Sequence, residues 1–247
     1  MTEQNSPQPP NDLQPTVANA HRRASELVSQ ILELTYPTAE ELALDGAEGV
    51  AVNLLLRCRD LLRAIQLLAL NNMLFISAGL IRQVFEHSAT GAWLLQAPDA
   101  YDLVVGDFAK HIKDASDRLP DEYGSQWIEL QKLIEPDTDD PVRPRRLPNL
   151  AERLVGPYVD HYALYKELCG LDHAGLNSAV HAGSATREDF DTPPAWGEEQ
   201  RWLAYAGCIT AALSLAIRAK CGEPSASNLA SLLFQLNQEQ YKWGPER

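Results

Sequence analysis

Several features that would assign this chain to a common class of protein are missing from its sequence. The 247 residues begin with no basic segment followed by an apolar one, so no secretory signal is predicted. A membrane helix needs about 18 or more apolar residues in a row. The longest candidate run is interrupted by Asn71 and Asn72. The sequence therefore predicts a cytoplasmic protein with no membrane segment.

The sequence also lacks the motifs of the best-known catalytic and nucleotide sites. It contains no G-x-x-x-x-G-K-[ST], no G-x-G-x-x-G and no G-x-S-x-G pattern. Cysteine is scarce, and no two cysteines form a C-x-x-C pair. The four cysteines lie in apolar, helix-like surroundings, where a free thiol behaves as a small hydrophobic group: Cys58, Cys169, Cys208 and Cys221. We expect buried thiols rather than disulfides or a zinc site, and no cofactor.

Positive charge is in short supply. Only 21 lysines and arginines stand against 34 aspartates and glutamates, which gives a formal net charge of −13 and a pI near 4.8. Broad, sequence-independent binding to nucleic acid needs a basic surface. The composition therefore predicts no DNA partner, although it is compatible with a small local basic site.

Strand signals are nearly absent, because no segment alternates apolar and polar residues over a useful length. Apolar residues recur instead at helical spacing along most of the chain. Helices are predicted over residues 17–34, 49–70, 73–95, 101–119, 121–134, 150–154, 158–171, 176–181, 198–221 and 225–241. The predicted fold class is therefore all-α.

The composition along the chain divides it into a tail and one domain. Residues 1–14 are rich in proline, glutamine and asparagine, which predicts a disordered tail. Residues 15–243 form a single helical domain, into which a proline-rich and charged loop at 136–148, expected to be mobile, is inserted. So many long amphipathic helices imply exposed apolar area, so we expect a homodimer.

The most informative segment is residues 73–95, an apolar helix interrupted by one polar group. At about 100° per residue, its five polar residues fall within an arc of about 140°. These residues are Arg82, Gln83, Glu86, His87 and Thr90. The same arc is apolar before and after them, so the pattern predicts a polar patch set into a buried surface. Burying charged groups costs several kcal/mol unless they are paired.

Two interpretations of this patch follow from the residue spacing. Arg82 and Glu86 are four residues apart, so their side chains meet on adjacent turns and form an ion pair. The first interpretation is a structural pair that fixes helix packing. The second is a functional site, in which His87 beside the pair transfers protons.

A second polar segment lies near residues 157–183. Tyr158, Tyr162 and Tyr165 form one helical stripe, which predicts core packing with outward hydroxyl groups. His173 and His181 are eight residues apart and share one side if the helix is continuous. With Glu86, and also with His111, they could supply metal ligands. The sequence has no H-E-x-x-H motif and no paired E-x-x-H motif, so a metal site is the less favoured alternative.

The residues from Arg82 to His87 fit the R-x4-H pattern of HEPN domains, which are all-α modules of bacterial toxins and phage-defence proteins. The wider arrangement resembles an uncharacterised bacterial branch of HEPN-like proteins and, more loosely, abortive-infection proteins. The resemblance extends from about residue 54 to the C-terminus. The matching residues are Arg82, Glu86, Trp93, Tyr158, Tyr162, Tyr165 and His173.

The resemblance implies an HEPN-like multi-helix bundle that acts as a metal-independent ribonuclease in a defence or toxin–antitoxin system. In active HEPN proteins, the arginine and histidine of two subunits meet in a dimer cleft and cleave RNA. Arg82 would then hold the phosphate, Glu86 would orient Arg82, and His87 would act as general acid or base, with His173 as a further site residue.

Two other functions are compatible with the same residues. One is a non-catalytic interaction module in which the Arg82–Glu86 pair is structural. The other is a metal-dependent enzyme for a small molecule, using Glu86, His173 and His181.

Overall fold

The structure is a computed structural model, and it describes residues 25–71, 77–116, 147–172, 196–222 and 227–242. All regular structure in these ranges is helical, which confirms the predicted all-α class. The α-helices are α1 (25–34), α2 (Ala39–Leu42), α3 (Gly46–Leu70), α4 (Ala78–Gln96), α5 (Ala100–Ser116), α6 (Tyr162–Asp172), α7 (Trp196–Cys221) and α8 (Ser227–Lys242). Two 3-10 turns precede α6, at Leu150–Arg153 and Gly156–Tyr158.

The described helices differ from the predictions at two places. Helix α2 was not predicted, and it begins at a capping box in which Thr38 and Glu41 satisfy each other's backbone N–H groups. The tyrosine stripe is broken, because Tyr158 belongs to a 3-10 turn and α6 begins only at Tyr162. The helices predicted at 121–134 and 176–181, the tail at 1–14 and most of the loop at 136–148 lie outside the described residues.

Helix α7 is the central helix of the bundle and packs against α3, α4 and α8. Most side chains between Trp202 and Ile217 are buried, which explains why its composition is apolar on all sides. In the part of the chain that the structure describes, one helical segment is long and apolar enough to cross a membrane, Trp202–Cys221. Of the residues in its most apolar window, 78% are buried inside the bundle, as in the core helix of a globular protein. The helix ends at Gly222, whose φ of 75° suits glycine.

Helix α4 carries the polar patch, and its position depends on its apolar side. Ile81, Val84 and Phe85 are fully buried and belong to the main core. The helix packs against α3, α7 and α6. A Cβ atom at Gly91 would lie 2.7 Å from Cδ1 of Leu213, so the glycine permits the close approach of α4 and α7.

The four cysteines, all of them among the described residues, form no disulfide, but they are not all buried. Cys58 and Cys208 are buried, Cys169 is partly buried and Cys221 is exposed. The expectation of burial is therefore wrong for Cys221, which lies in the last turn of α7 where the helix leaves the core. Burial raises the pKa of the Cys58 thiol to about 12, so this side chain behaves as a hydrophobic group.

Candidate functional site

A line of polar side chains runs between α4 and the segment that contains α6. On α4 it consists of residues spaced by four positions, which therefore share one face of the helix. Opposite them lie a residue of the first 3-10 turn and a residue of α6. We call this group the polar seam, and it comprises Arg82, Glu86, Thr90, Arg153 and Tyr165.

Glu86 is the centre of the polar seam. One of its carboxylate oxygens, Oε1, accepts a hydrogen bond of 2.9 Å from the hydroxyl group of Tyr165. Nε of Arg82 lies 3.6 Å from the same oxygen. The i, i+4 pair expected between Arg82 and Glu86 is therefore present, and Tyr165 extends it from α4 to α6.

Arg153 reaches the polar seam from the first 3-10 turn. Its Nη1 donates a hydrogen bond of 2.7 Å to the hydroxyl of Thr90, which in turn donates to the backbone oxygen of Glu86 at 2.7 Å. The turn that carries Arg153 begins with a capping box between Asn149 and Glu152. Nε of Arg153 is buried and has no hydrogen-bond partner among the described residues.

Aromatic packing holds the α6 side of the polar seam in place. The ring of Tyr165 stacks on Phe85 of α4 with centroids 5.1 Å apart, and on Tyr162 at 5.7 Å. Tyr158 packs edge-on against Phe85 at 6.0 Å. Its hydroxyl is buried and accepts or donates no hydrogen bond within the described ranges, so the expectation of an outward hydroxyl is wrong for Tyr158.

The polar patch is only partly buried. The exposed fractions of the Arg82 and Glu86 side chains are 21% and 34%, and Gln83, His87 and Thr90 are likewise intermediate. The patch is therefore less buried than the sequence predicted. The reason is that α6 and the 3-10 turn cover this face of α4 from one side, so water retains access from the other.

His87 lies apart from the polar seam. On an ideal helix it points about 140° away from Arg82. No described contact joins the two side chains, and the charges that act on His87 are those of Glu86 and of Arg57 on α3. Burial lowers the pKa of His87 below its usual value of 6.5, and Arg57 acts in the same direction while Glu86 opposes it. The imidazole is therefore neutral at pH 7.

The electrostatics of the polar seam are dominated by partial burial. Burial lowers the pKa of Arg153. Glu86, Asp107 and Tyr165 act in the opposite direction, because they favour the charged guanidinium. Burial raises the pKa of Tyr165, and its hydrogen bonds with Cys169 and Glu86 act in the same direction. At neutral pH the tyrosine therefore stays protonated and can donate to Glu86.

The remaining candidates of the sequence are three histidines. His173 and His181 lie outside the described residues. His111 is exposed on α5, where its Nδ1 lies 2.8 Å from the backbone oxygen of Asp107 and 3.3 Å from the carboxylate of the same residue. Within the described ranges, no group of three or more histidine, cysteine, aspartate or glutamate side chains is arranged to hold a metal ion.

Sequence reasoning missed Arg153 altogether. Its partner Thr90 is 63 residues away, and the chain between them gives no sign that the two approach. Tyr165 was assigned to core packing and named among the residues of the HEPN resemblance, but its hydrogen bond to Glu86 was not predicted.

The polar seam combines two guanidinium groups with one carboxylate and two hydroxyl groups, at a surface that water reaches. Such a group suits the binding of an oxyanion, because guanidinium donates charge-assisted hydrogen bonds in a fixed planar geometry. Comparison of the chain with protein-family models, with curated proteins and with solved structures finds no match.

Proposed function

We propose that this chain is an HEPN-like, dimeric cytoplasmic protein that binds RNA phosphates at the polar seam and cleaves RNA without a metal ion. One observation carries the proposal. Within the polar seam, the two partly buried guanidinium groups of Arg82 and Arg153 face the single carboxylate of Glu86. The carboxylate of Asp107 on α5 also attracts Arg153. The polar seam thus brings two guanidinium groups together at a surface that water reaches, in a chain whose net charge is −13.

The two guanidinium groups of the polar seam would attract a phosphate despite the negative net charge of the chain. Fields of exposed charges decay over about 8 Å at physiological salt, so the nearest groups dominate. Arg82 and Arg153 would hold the phosphodiester and stabilise the negative charge that develops on it during cleavage. Glu86 would keep Arg82 oriented, because it accepts from Tyr165 and pairs with Arg82 at the same oxygen.

His87 supplies the proton-transfer group of the proposed reaction. A neutral imidazole accepts a proton at pH 7, which is the role of a general base. Because Arg82 and His87 diverge on α4, the proposal requires that His87 of the partner subunit completes the site. This requirement agrees with the dimer cleft of the HEPN proteins that the chain resembles.

The test is cleavage of single-stranded RNA by the full chain in the presence of EDTA. We expect Arg82→Ala and His87→Ala each to lower the cleavage rate by roughly 10²- to 10⁴-fold. Matched controls are Lys110→Ala and His111→Ala, which remove an exposed cation and an exposed imidazole from α5. Thermal unfolding of each variant verifies that it is folded.

Full activity in both Arg82→Ala and His87→Ala would overturn the catalytic assignment. The second candidate function is a non-catalytic interaction module, and the hydrogen bond between Tyr165 and Glu86 favours it, because this bond joins two helices. The module predicts that the wild-type chain cleaves no RNA and that Arg82→Ala and Tyr165→Phe both lower the melting temperature.

A further inference from the structure

An open cavity of about 490 Å³ lies at the surface between α1 and α3. It is bounded by the end of α1 and the middle of α3. Its lining residues are Ser29, Leu32, Glu33, Tyr36, Arg59 and Arg63, and it shares no residue with the polar seam.

Arg59 contributes a buried positive charge to this cavity. The residue is 4% exposed, and no carboxylate pairs with it among the described residues. Its Nη1 donates to the backbone oxygen of Leu32 and, at 3.0 Å, to the hydroxyl of Thr35. The guanidinium carbon also lies 4.8 Å from the ring centroid of Tyr36. All these partners are neutral, and the carboxylate of Asp60, the next residue on α3, favours the charged form of Arg59 from outside the cavity lining.

Arg63 adds a second positive charge to the same cavity. It follows Arg59 by four residues on α3, so the two side chains lie on adjacent turns of one face. Like charges in this arrangement repel, and Arg63, after burial, is a cause of the lowered pKa of Arg59. Among the lining residues that the structure describes, one carries a carboxylate, the exposed Glu33. A bound oxyanion would relieve this repulsion.

We propose that this cavity binds a small phosphate-bearing molecule, with its oxyanion held by Arg63 and by the cavity side of Arg59. Guanidinium groups recognise phosphate through paired charge-assisted hydrogen bonds. The ring of Tyr36, which is 58% exposed and packs against Arg59, gives the cavity an aromatic wall for the rest of the molecule. This site is independent of the function proposed for the polar seam.

The experiment is calorimetric titration of the full chain with three probes: inorganic phosphate, AMP and adenosine. We expect phosphate and AMP to bind and adenosine, which lacks the oxyanion, not to bind. The Arg63→Gln variant should weaken AMP binding by roughly tenfold to a hundredfold, because one charge-assisted contact is lost. Arg63 is exposed, so this variant keeps the fold; Arg59→Gln is avoided because Arg59 also bonds to α1.

The matched control is Arg57→Gln, which removes an exposed arginine of the same helix that does not line the cavity. Equal AMP binding by the wild type and Arg57→Gln, together with the loss in Arg63→Gln, would support the proposal. It is overturned if neither phosphate nor AMP binds, or if adenosine binds as tightly as AMP. It is also overturned if Arg63→Gln binds AMP with the affinity of the wild type.

Discussion

The possible roles of the side chains of α4 depend on how deeply each one is buried. Glu86 and His87 are neighbours in sequence, yet their surroundings differ. Glu86 accepts a hydrogen bond from Tyr165 and pairs with Arg82, so its carboxylate has a partner on each of two helices. His87 is half-buried, and no anionic hydrogen-bond partner of its ring is found among the described residues. Burial therefore lowers its pKa and favours the neutral imidazole.

The lowered pKa values of His87 and His161 predict a dependence of stability on pH. Burial is the main cause for both residues, and the ring of His161 packs edge-on against Tyr205 with centroids 5.3 Å apart. Below pH 6.5 the unfolded chain binds protons at these positions more readily than the folded chain, so stability falls as the pH falls. Their contribution is complete above pH 6.5 and is lost as the pH drops through the lower, folded-state values.

Urea unfolding of the wild type and of the double variant His87→Gln/His161→Gln, measured from pH 8 to about pH 5, checks this expectation. The variant should lose less stability than the wild type on acidification, because glutamine does not titrate. An identical loss of stability in the two proteins over this range would contradict the expectation.

At the scale of elements, two buried arginines from distant parts of the chain donate hydrogen bonds to the end of α1 and hold it against the bundle. Arg59 of α3 donates to the backbone oxygen of Leu32, and Arg218 of α7 donates to that of Leu34 at 2.7 Å. Nε of Arg218 also lies 3.6 Å from the carboxylate of Glu41, which is buried in α2. Positive groups at a helix C-terminus satisfy its free carbonyl groups and interact favourably with its dipole.

The contacts of Arg218 with Leu34 and Glu41 predict a large loss of stability when Arg218 is replaced. Arg218→Met should lower the free energy of unfolding by about 3–5 kcal/mol, because it leaves Glu41 buried without a counter-charge. In the double variant Arg218→Met/Glu41→Gln, the glutamine can still cap α2 and carries no charge, so the double variant should lose less than the two single variants combined. Urea unfolding of the four proteins in a double-mutant cycle gives the coupling energy. Strictly additive losses would show that the two side chains do not depend on each other.

The sequence pattern was sufficient to predict most of the described helices but not the contacts between them. Helices α3, α4, α7 and α8 were predicted with ends that differ by a few residues from those observed. In α3, α4 and α8 the apolar residues recur every three or four positions, and α7 is apolar on all sides over several turns. The 3-10 turn at Leu150–Arg153 was predicted as a short helix, and α2 was missed because it has only four residues. Arg218 and Arg153 act across 184 and 63 residues of sequence, a distance over which periodicity carries no information.

The same distinction holds for the candidate site. The Arg82–Glu86 pair followed from a spacing of four residues on one helix, and it is present at 3.6 Å. The hydrogen bond from Tyr165 to Glu86 depends on how α6 packs against α4, which no local pattern specifies. The divergence of Arg82 and His87 is likewise local, because it follows from helical geometry alone. For the whole molecule, this divergence is the reason why the proposed site is one shared between two chains.

A site shared between two subunits and a site contained within one subunit predict opposite activities for mixed dimers. Two-fold symmetry gives a dimer two sites, each with Arg82 of one subunit and His87 of the other. A heterodimer of one Arg82→Ala chain and one His87→Ala chain then has one intact site and one site that lacks both groups. It should cleave RNA at about half the wild-type rate, although both parent homodimers are inactive.

The reciprocal heterodimer pairs a wild-type chain with an Arg82→Ala/His87→Ala chain. In a shared arrangement both of its sites lack one group, so this heterodimer should be inactive. Sites contained within single chains give the opposite pattern, because the wild-type chain then keeps a complete site while the first heterodimer has none. Co-expression with two affinity tags and sequential purification yields each heterodimer free of homodimers, and light scattering establishes its mass. RNA cleavage by the two heterodimers therefore distinguishes the two arrangements. The shared site predicts that only the first heterodimer is active, and the site within one chain predicts that only the second is active.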